Sequence, residues 1–339
     1  MVLDVILPTF NREALLERTL ASLRAAALPE GLDVRVLVVD NACTDGTSAL
    51  VRCQAPSFGG RLQYLFEPTP GKPHALNAGI AATDGDLIGL IDDDEEVDAA
   101  WFESIARHFA SNRDTVDFIG GKCLPLWGAP QPAWLGKGYL GVIGWVDPGP
   151  ASKRMDASYP GILMGGNAVI RRRILERAGP YSSALNRTGA TLLGCEDEDM
   201  YHRLLALGAR GEYVPDLVIY HHVPAARLTK TYFRRWCFWR GVSLGVMDRD
   251  RPAPVRYLAG VPRYQIGRAC RGLASLARHC LWLRREPDPA TRFEHELACW
   301  DLAGFAWGKH LYRVPSSPVV VSAATSPAVS PAIDRTDAA

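Results

Sequence analysis

The chain has 339 residues, 47% hydrophobic and 22% charged, which is ordinary for a globular protein and long enough for one large domain or two. Its formal net charge of +1 gives no global case for nucleic acid or for an acidic partner, although 32 of the 38 basic residues are arginine. Eight cysteines stand singly at 43, 53, 123, 195, 237, 270, 280 and 299, a spacing that excludes a Cys-x-x-Cys zinc or redox motif and gives no disulfide framework.

Val2 to Leu7 is a strand-like apolar run that Pro8 ends. It lacks the basic start and apolar core of a signal peptide, and no apolar run nears the roughly 18 residues of a membrane span, so a cytoplasmic protein is expected. Thr9 or Asn11 is placed to cap a helix in which Leu16, Leu20 and Leu23 recur at helical spacing. Val34 to Asp40 reads as a second buried strand with an aspartate at its carboxyl end, and Asn41 to Gly46 as a turn into a helix near Thr47. Leu62 to Glu67 is a third strand, Pro68 to Pro73 a rigid loop and His74 to Ala82 a helix. Leu87 to Ile91 is the fourth strand, apolar throughout and so buried on both faces. This alternation predicts an α/β protein with a mostly parallel sheet flanked by helices.

Asp92, Asp93 and Asp94 follow where the fourth strand emerges, and ligands of open α/β sheets sit at the carboxyl ends of strands. Three adjacent anions repel one another unless a cation joins them, and carboxylate oxygens suit Mg²⁺ or Mn²⁺. On extended backbone Asp92 and Asp94 point the same way, so the two are expected to share one ion. The plainer alternative is a solvated acidic turn before the helix near Trp101.

Val116 to Gly121 is a further strand, and the stretch from Pro125 to Pro160, rich in Gly, Pro and Trp, reads as a long functional loop. Gly165 to Ile170 resumes as a strand and Arg173 to Ala178 as a short helix. Cys195 leads into a helix whose apolar stripe holds Met200, Leu204 and Leu207. At 100° per residue Glu196 and Asp197 lie within about 60° of that stripe and face the body of the protein, whereas Glu198 lies nearly opposite, towards solvent. Tyr213 to His222 forms a strand ending in His221-His222. Beyond it, Arg227 to Arg251 is basic and aromatic, a second basic helical segment spans Arg256 to Arg285, and a last helix spans Phe293 to Leu311. The Ser/Ala/Pro-rich tail from Pro315 is expected to be disordered. The predicted divisions are therefore 1–225, a helical extension over 226–314, and the tail 315–339.

Four blocks resemble those of the family 2 glycosyltransferases, nucleotide-sugar enzymes of the GT-A fold: Leu7-Pro-Thr-Phe-Asn-Arg12, Val38 to Thr47, Ile91-Asp-Asp-Asp94, and Gly194 to Asp199. Asn77-Ala-Gly79 is a weaker fifth, and together the blocks span residues 2 to 222 in family order. The resemblance implies that Pro8, Thr9, Asn11 and Asp40 line the pocket for the base and ribose of a nucleotide sugar. Arg12, Asn77, Asp93 and Glu196 are carried over as substrate-binding positions; Lys72 matches no motif position, but its loop lies beside the nucleotide strands and is placed to contact phosphate. Asp92 and Asp94 would be the Asp-x-Asp pair holding Mn²⁺ or Mg²⁺, with Asp94 the more direct ligand. His221 or His222 would be a third ligand; strand alternation allows at most one of them. Asp197 would be the general base of a single in-line displacement that inverts the anomeric centre. The acceptor implied is a saccharide or a lipid-linked saccharide of cell-envelope or polysaccharide synthesis.

Two other functions compete. A sugar-phosphate nucleotidyltransferase needs a Gly-rich basic loop after the first strand, and Pro8-Thr-Phe-Asn-Arg12 has no glycine. A catalytically inactive sugar-nucleotide-binding protein would have little use for Asp92, Asp94 and Asp197 together. The arginines at 234, 235, 240, 268, 271, 278, 284 and 285, interleaved with aromatics, fit either peripheral docking on anionic lipid or helices packed on the first domain through salt bridges.

Overall fold

Four apolar runs become adjacent parallel strands: Val2–Thr9 (β1), Asp33–Asp40 (β2), Leu62–Phe66 (β3) and Leu87–Leu90 (β4). The structure, a computed structural model, describes residues 1–111, 115–187, 191–280, 288–314 and 330–331. Helices Glu13–Ala25 (α1), Thr47–Gln54 (α2) and Lys72–Ala81 (α3) make the crossovers, giving the order β3-β2-β1-β4. Thr9 pairs with Asp40, and Asp40 with Phe66, so the strands end together and bring their carboxyl-terminal residues to one edge.

Beyond β4 the sheet changes direction. Between residues 95 and 171 the chain has no βαβ crossover back to β4; instead Ala168–Arg171 (β8) returns antiparallel beside it. Glu95–Val97 (β5), Phe118–Trp127 (β6), Lys153–Met155 (β7) and Gly211–Val223 (β9) complete the sheet, with β6 pairing antiparallel to β8 and parallel to β9. Helices Trp101–Ser111 (α4), Arg172–Ala178 (α5) and Glu196–Ala206 (α6) fill the faces. Strand alternation splits the core in two: Leu3, Val5 and Leu7 of β1 pack with α1 and α4, and Ile6 packs with α3 and α6. At the centre, buried Asn167 accepts from Trp101 Nε1 and donates to the carbonyls of Lys122 and Leu217, which ties α4, β6 and β9 to the start of β8.

Lys230–Asp250 (α7), Arg263–Cys280 (α8) and Pro289–His310 (α9) form the helical extension. A short hairpin, Tyr257–Leu258 (β10) with Val261–Pro262 (β11), links α7 to α8. Helices α7 and α9 touch backbone to backbone: any side chain at Gly241 or Gly245 would strike α9, and any at Gly304 or Gly308 would strike α7. The apolar cluster beneath joins Leu135, Val142 and Ile143 to Phe233, Cys237, Phe293 and Leu297. That core crosses the predicted boundary at 225. No helix among the described residues is long and apolar enough to cross a membrane.

Several expectations are corrected. Neither Thr9 nor Asn11 caps α1; the N-cap is Arg12, because both side chains are engaged elsewhere. Helix α3 begins at Lys72 with Pro73 in its first turn, a position where proline costs no hydrogen bond. The stretch after the aspartates is no solvated turn: β5 pairs there with β9. Part of the 125–160 loop is ordered, as the end of β6, a 3₁₀ segment over Lys137–Ile143, and β7. Glu198 is not turned to solvent, because α7 covers it and Arg240 lies 3.9 Å away. The expected disorder of the tail, and Arg284 and Arg285, fall outside the described residues, apart from a two-residue strand, Ser330–Pro331 (β12), beside β3.

Candidate active site

The aspartate triplet sits at the sheet edge but not as an extended strand. β4 ends at Leu90 and Asp93-Asp94 form a turn, so alternation does not apply. Adjacent Asp93 and Asp94 share one cation, the Arg12 guanidinium, at 2.9 Å each. Asp92 turns the other way, to Lys72 Nζ at 2.8 Å. Within the protein, Asp93 and Asp94 thus share a cation, whereas Asp92 has its own in Lys72.

Asp94 is the electrostatic centre. Burial pushes its carboxyl up, but His221, Arg12 and Arg227 outweigh that and hold it well below the usual carboxylate range. Arg227 reaches Asp94 Oδ2 at 3.3 Å, and His221 Nε2 lies 3.6 Å from the same oxygen. His221 Nδ1 contacts the carbonyl of Ile143 at 2.9 Å, so Nδ1 carries a hydrogen, and Nε2 lies 3.1 Å from Arg227 Nη1, on the side of the ring that faces Asp94. Gly144, at φ 73°, makes the turn that brings this carbonyl in. His222 points to the opposite face of β9 and pairs with Glu96 at 2.6 Å. Only one member of the histidine pair is thus brought to the site.

Lys72 joins this cluster to α6. Its ammonium lies 3.6 Å from Glu196 Oε1 and 4.0 Å from Asp197 Oδ2. Burial alone would lower its pKa, yet the charges of Asp92, Asp197 and Glu196 raise it well above the ordinary lysine value. Asp197 itself is pushed up to about 7, first by burial and then by Glu196 and Asp92, against the opposing pull of Lys72. Its Oδ1 is buried with no hydrogen-bond partner among the described residues. Gly165 permits this: a side chain there would collide with the Asp197 carboxylate, and one at Gly166 with Glu95. Cys195, in the left-handed region at φ 67°, turns the chain into α6 so that its first residues face the sheet edge.

The residues at the carboxyl ends of β1 and β2 form an adjoining group. Thr9 Oγ1 donates to Asp93 at 2.8 Å, and Asn11, itself left-handed at φ 52°, accepts from Thr44 N. Asp40 accepts from Cys43 N and from Tyr64 Oη, both at 2.7 Å. Pro8 is buried in β1 and Phe10 beside it is 52% exposed at the same edge. Asn77 is not open to a ligand: its amide donates to Tyr181 O at 2.9 Å and accepts from Tyr181 N at 2.8 Å, strapping α3 to the segment before α6. Sequence reasoning missed Arg227, Phe10, the Ile143 carbonyl and the Gly165-Gly166 pair. The glycine pair was the available signal, since adjacent glycines before a buried strand mark close approach.

Among the described residues no three metal-ligating side chains are preassembled. The donor chemistry nonetheless fits a hard cation: an Asp94 carboxylate strongly favouring its charged form, with the Nε2 ring nitrogen of His221 3.6 Å from it. Mg²⁺-type sites use one or two carboxylates and take remaining oxygens from substrate phosphates and water.

Comparison with known proteins agrees with this layout. The profile of the family described as Glycosyl transferase family 2 matches residues 4–179. Over 258 residues the chain is 25% identical to the succinoglycan biosynthesis protein ExoM of Rhizobium meliloti, covering 75% of this chain and 77% of that protein. The fold aligns with a mannosyltransferase, PcManGT from Pyrobaculum calidifontis, solved with GDP-Man and Mn²⁺, at TM-score 0.58 and 22% identity over 90% of this chain and 86% of that one. It also aligns with residues 1–349 of S. aureus TarS in complex with UDP-GlcNAc, at TM-score 0.51 and 16% identity over 88% of this chain and 90% of that one. At such identities these two likenesses are of fold alone.

Proposed function

The chain belongs to glycosyl transferase family 2 and has the GT-A fold of those enzymes, and from that premise we propose that it moves a sugar from a nucleoside diphosphate sugar to an acceptor hydroxyl with inversion. The observation that carries this is the position of Asp197: a buried carboxylate with one unpartnered oxygen, linked through Lys72 to Asp92 at the sheet edge.

In the proposed reaction the Asp197 carboxylate takes the proton of the acceptor hydroxyl as the hydroxyl oxygen attacks the anomeric carbon. The bond from that carbon to the diphosphate breaks on the opposite side, and its electron pair leaves with the phosphate. One displacement at one centre inverts it. Asp94 and His221 Nε2 would hold a Mn²⁺ or Mg²⁺ ion, with Asp92 within the same cluster; such an ion neutralises the charge that gathers on the leaving diphosphate. Arg12, Arg227 and Lys72 now balance Asp93, Asp94 and Asp92, and a bound diphosphate gives those cations a second anion to bind. Thr9, Asn11, Asp40 and the exposed Phe10 form the wall for the base and ribose. Apart from Arg227, residues 1–225 hold this machinery, and the helical extension packs beside it.

A relative that acts in succinoglycan biosynthesis supports a saccharide acceptor in polysaccharide synthesis, and the proposed acceptor is a saccharide, free or lipid-linked. Incubation with a panel of UDP-, GDP- and dTDP-sugars and Mn²⁺ tests the proposal. Slow hydrolysis of one donor, lost on chelation, is the expected result. Binding of nucleotide sugars with no turnover of any would overturn it in favour of an inactive binding protein.

A further inference from the structure

Residues 251–285 hold eight arginines and no Asp, Glu or Lys. Five of the described arginines fall into two sets. Arg251 pairs with Asp199 and Arg268 with Asp301, as do Arg234 with Glu296 and Arg240 with Glu198 and Asp301 outside this run. Arg234, Arg268 and Arg240 thereby tie the helical extension together, and Arg240 and Arg251 tie it to α6. Arg263, Arg271 and Arg278 of α8 have no carboxylate within ion-pair distance among the described residues, and all three are exposed.

The helix explains the separation. Ala269 and Gly272 are buried against α9, where a side chain at Gly272 would meet the carbonyl of His295. On the outer side, at 100° per residue, Arg263, Arg271 and Arg278 fall within about 80° of one another. Tyr264, 60% exposed, borders this ridge on one flank and Leu273, 56% exposed, on the other, with Ala274 and Ala277 between. The result is an unpartnered helix face that is basic, acid-free and partly apolar. Arg268 reaches inward to Tyr139 Oη, in the same 3₁₀ segment whose Ile143 carbonyl orients His221.

We propose that the outer face of α8 docks this protein on an anionic bilayer surface. Arginines on lipid phosphates with Tyr264 and Leu273 in the interface is the arrangement by which such a helix lies in the headgroup layer without crossing it. The charge pattern carries the choice of occupant: a second copy of this chain would bring the same positive ridge against itself, and a neutral apolar partner would have no use for three unpaired arginines. The assignment rests on α8 and is independent of the catalytic residues.

Co-sedimentation of the full chain with vesicles tests it. Pure phosphatidylcholine is compared with a phosphatidylcholine–phosphatidylglycerol mixture, at low and high salt. Wild type should bind the anionic vesicles at low salt and release as salt rises. The triple variant Arg263→Gln/Arg271→Gln/Arg278→Gln should partition roughly a hundredfold more weakly. Leu273→Ser should weaken binding further at fixed charge, and Arg18→Gln, an exposed arginine on α1, should not change it. All changes are at exposed positions, and unchanged melting curves establish that each variant folds. No binding to anionic vesicles, triple-variant binding equal to wild type, or self-association of wild type that the triple variant abolishes would each overturn the proposal.

Discussion

At the scale of single residues, the chemistry turns on whether Asp197 can be a base at working pH. A carboxyl near its ordinary value would be too weak a base to draw a proton from a sugar hydroxyl. Burial beside Glu196 and Asp92 raises it to about 7. A base works only when ionised, so with the carboxyl protonated below that value, kcat/KM should climb about tenfold per pH unit and level off above it. A pH–rate profile checks this, and a flat profile from acid to neutral would remove Asp197 from the role. Asp197→Asn keeps the shape, cannot accept the proton, and should lower kcat about 10²–10⁴-fold. Most of these residues were legible in the sequence because charge clusters at strand ends are rare. Their pairing was not. Asp92 and Asp94 looked like partners on an extended strand, but β4 ends at Leu90 and the turn sets Asp93 beside Asp94 on Arg12. Arg227 had no local signal at all, since it meets Asp94 across 133 residues. Asn77 looked like a ligand contact because a polar side chain in a helix gives no hint that distant Tyr181 takes both ends of its amide.

At the scale of elements, glycines and one strained cysteine set the close approaches. Cys195 holds a left-handed conformation as it starts α6, and β-branched side chains tolerate that region worst. Cys195→Val should cost about 1–3 kcal/mol of stability and lower kcat by displacing Asp197, whereas Cys195→Gly should keep both. Thermal melting read alongside turnover separates the two. Helices α7 and α9 depend on Gly241, Gly245, Gly304 and Gly308 for backbone contact. Gly304→Val would press on the carbonyl of Phe238 and should lower stability by about 1–3 kcal/mol, measured by denaturant unfolding. The helices themselves were readable from periodicity, to within a few residues at Lys230–Asp250 and Pro289–His310. What periodicity could not supply was β5 and the antiparallel return of β8, because short strands in an acidic or glycine-rich context lack a two-residue pattern.

For the molecule as a whole, the parallel half of the sheet brings the donor-binding residues to one edge, and the return strands with α6 set the proposed base opposite them. The helical extension shares a core with the 137–143 segment, whose Ile143 carbonyl meets His221. Metal, donor and base are then separable functions of neighbouring residues: Asp94 with His221 on one side of Lys72, Asp197 on the other. Calorimetric titration of a UDP- or GDP-sugar with Mn²⁺ into wild type, Asp94→Ala and Asp197→Asn tests this division directly. Loss of metal-dependent binding in Asp94→Ala, with binding kept in Asp197→Asn, is the predicted result; wild-type affinity in Asp94→Ala, or lost affinity in Asp197→Asn, would contradict it.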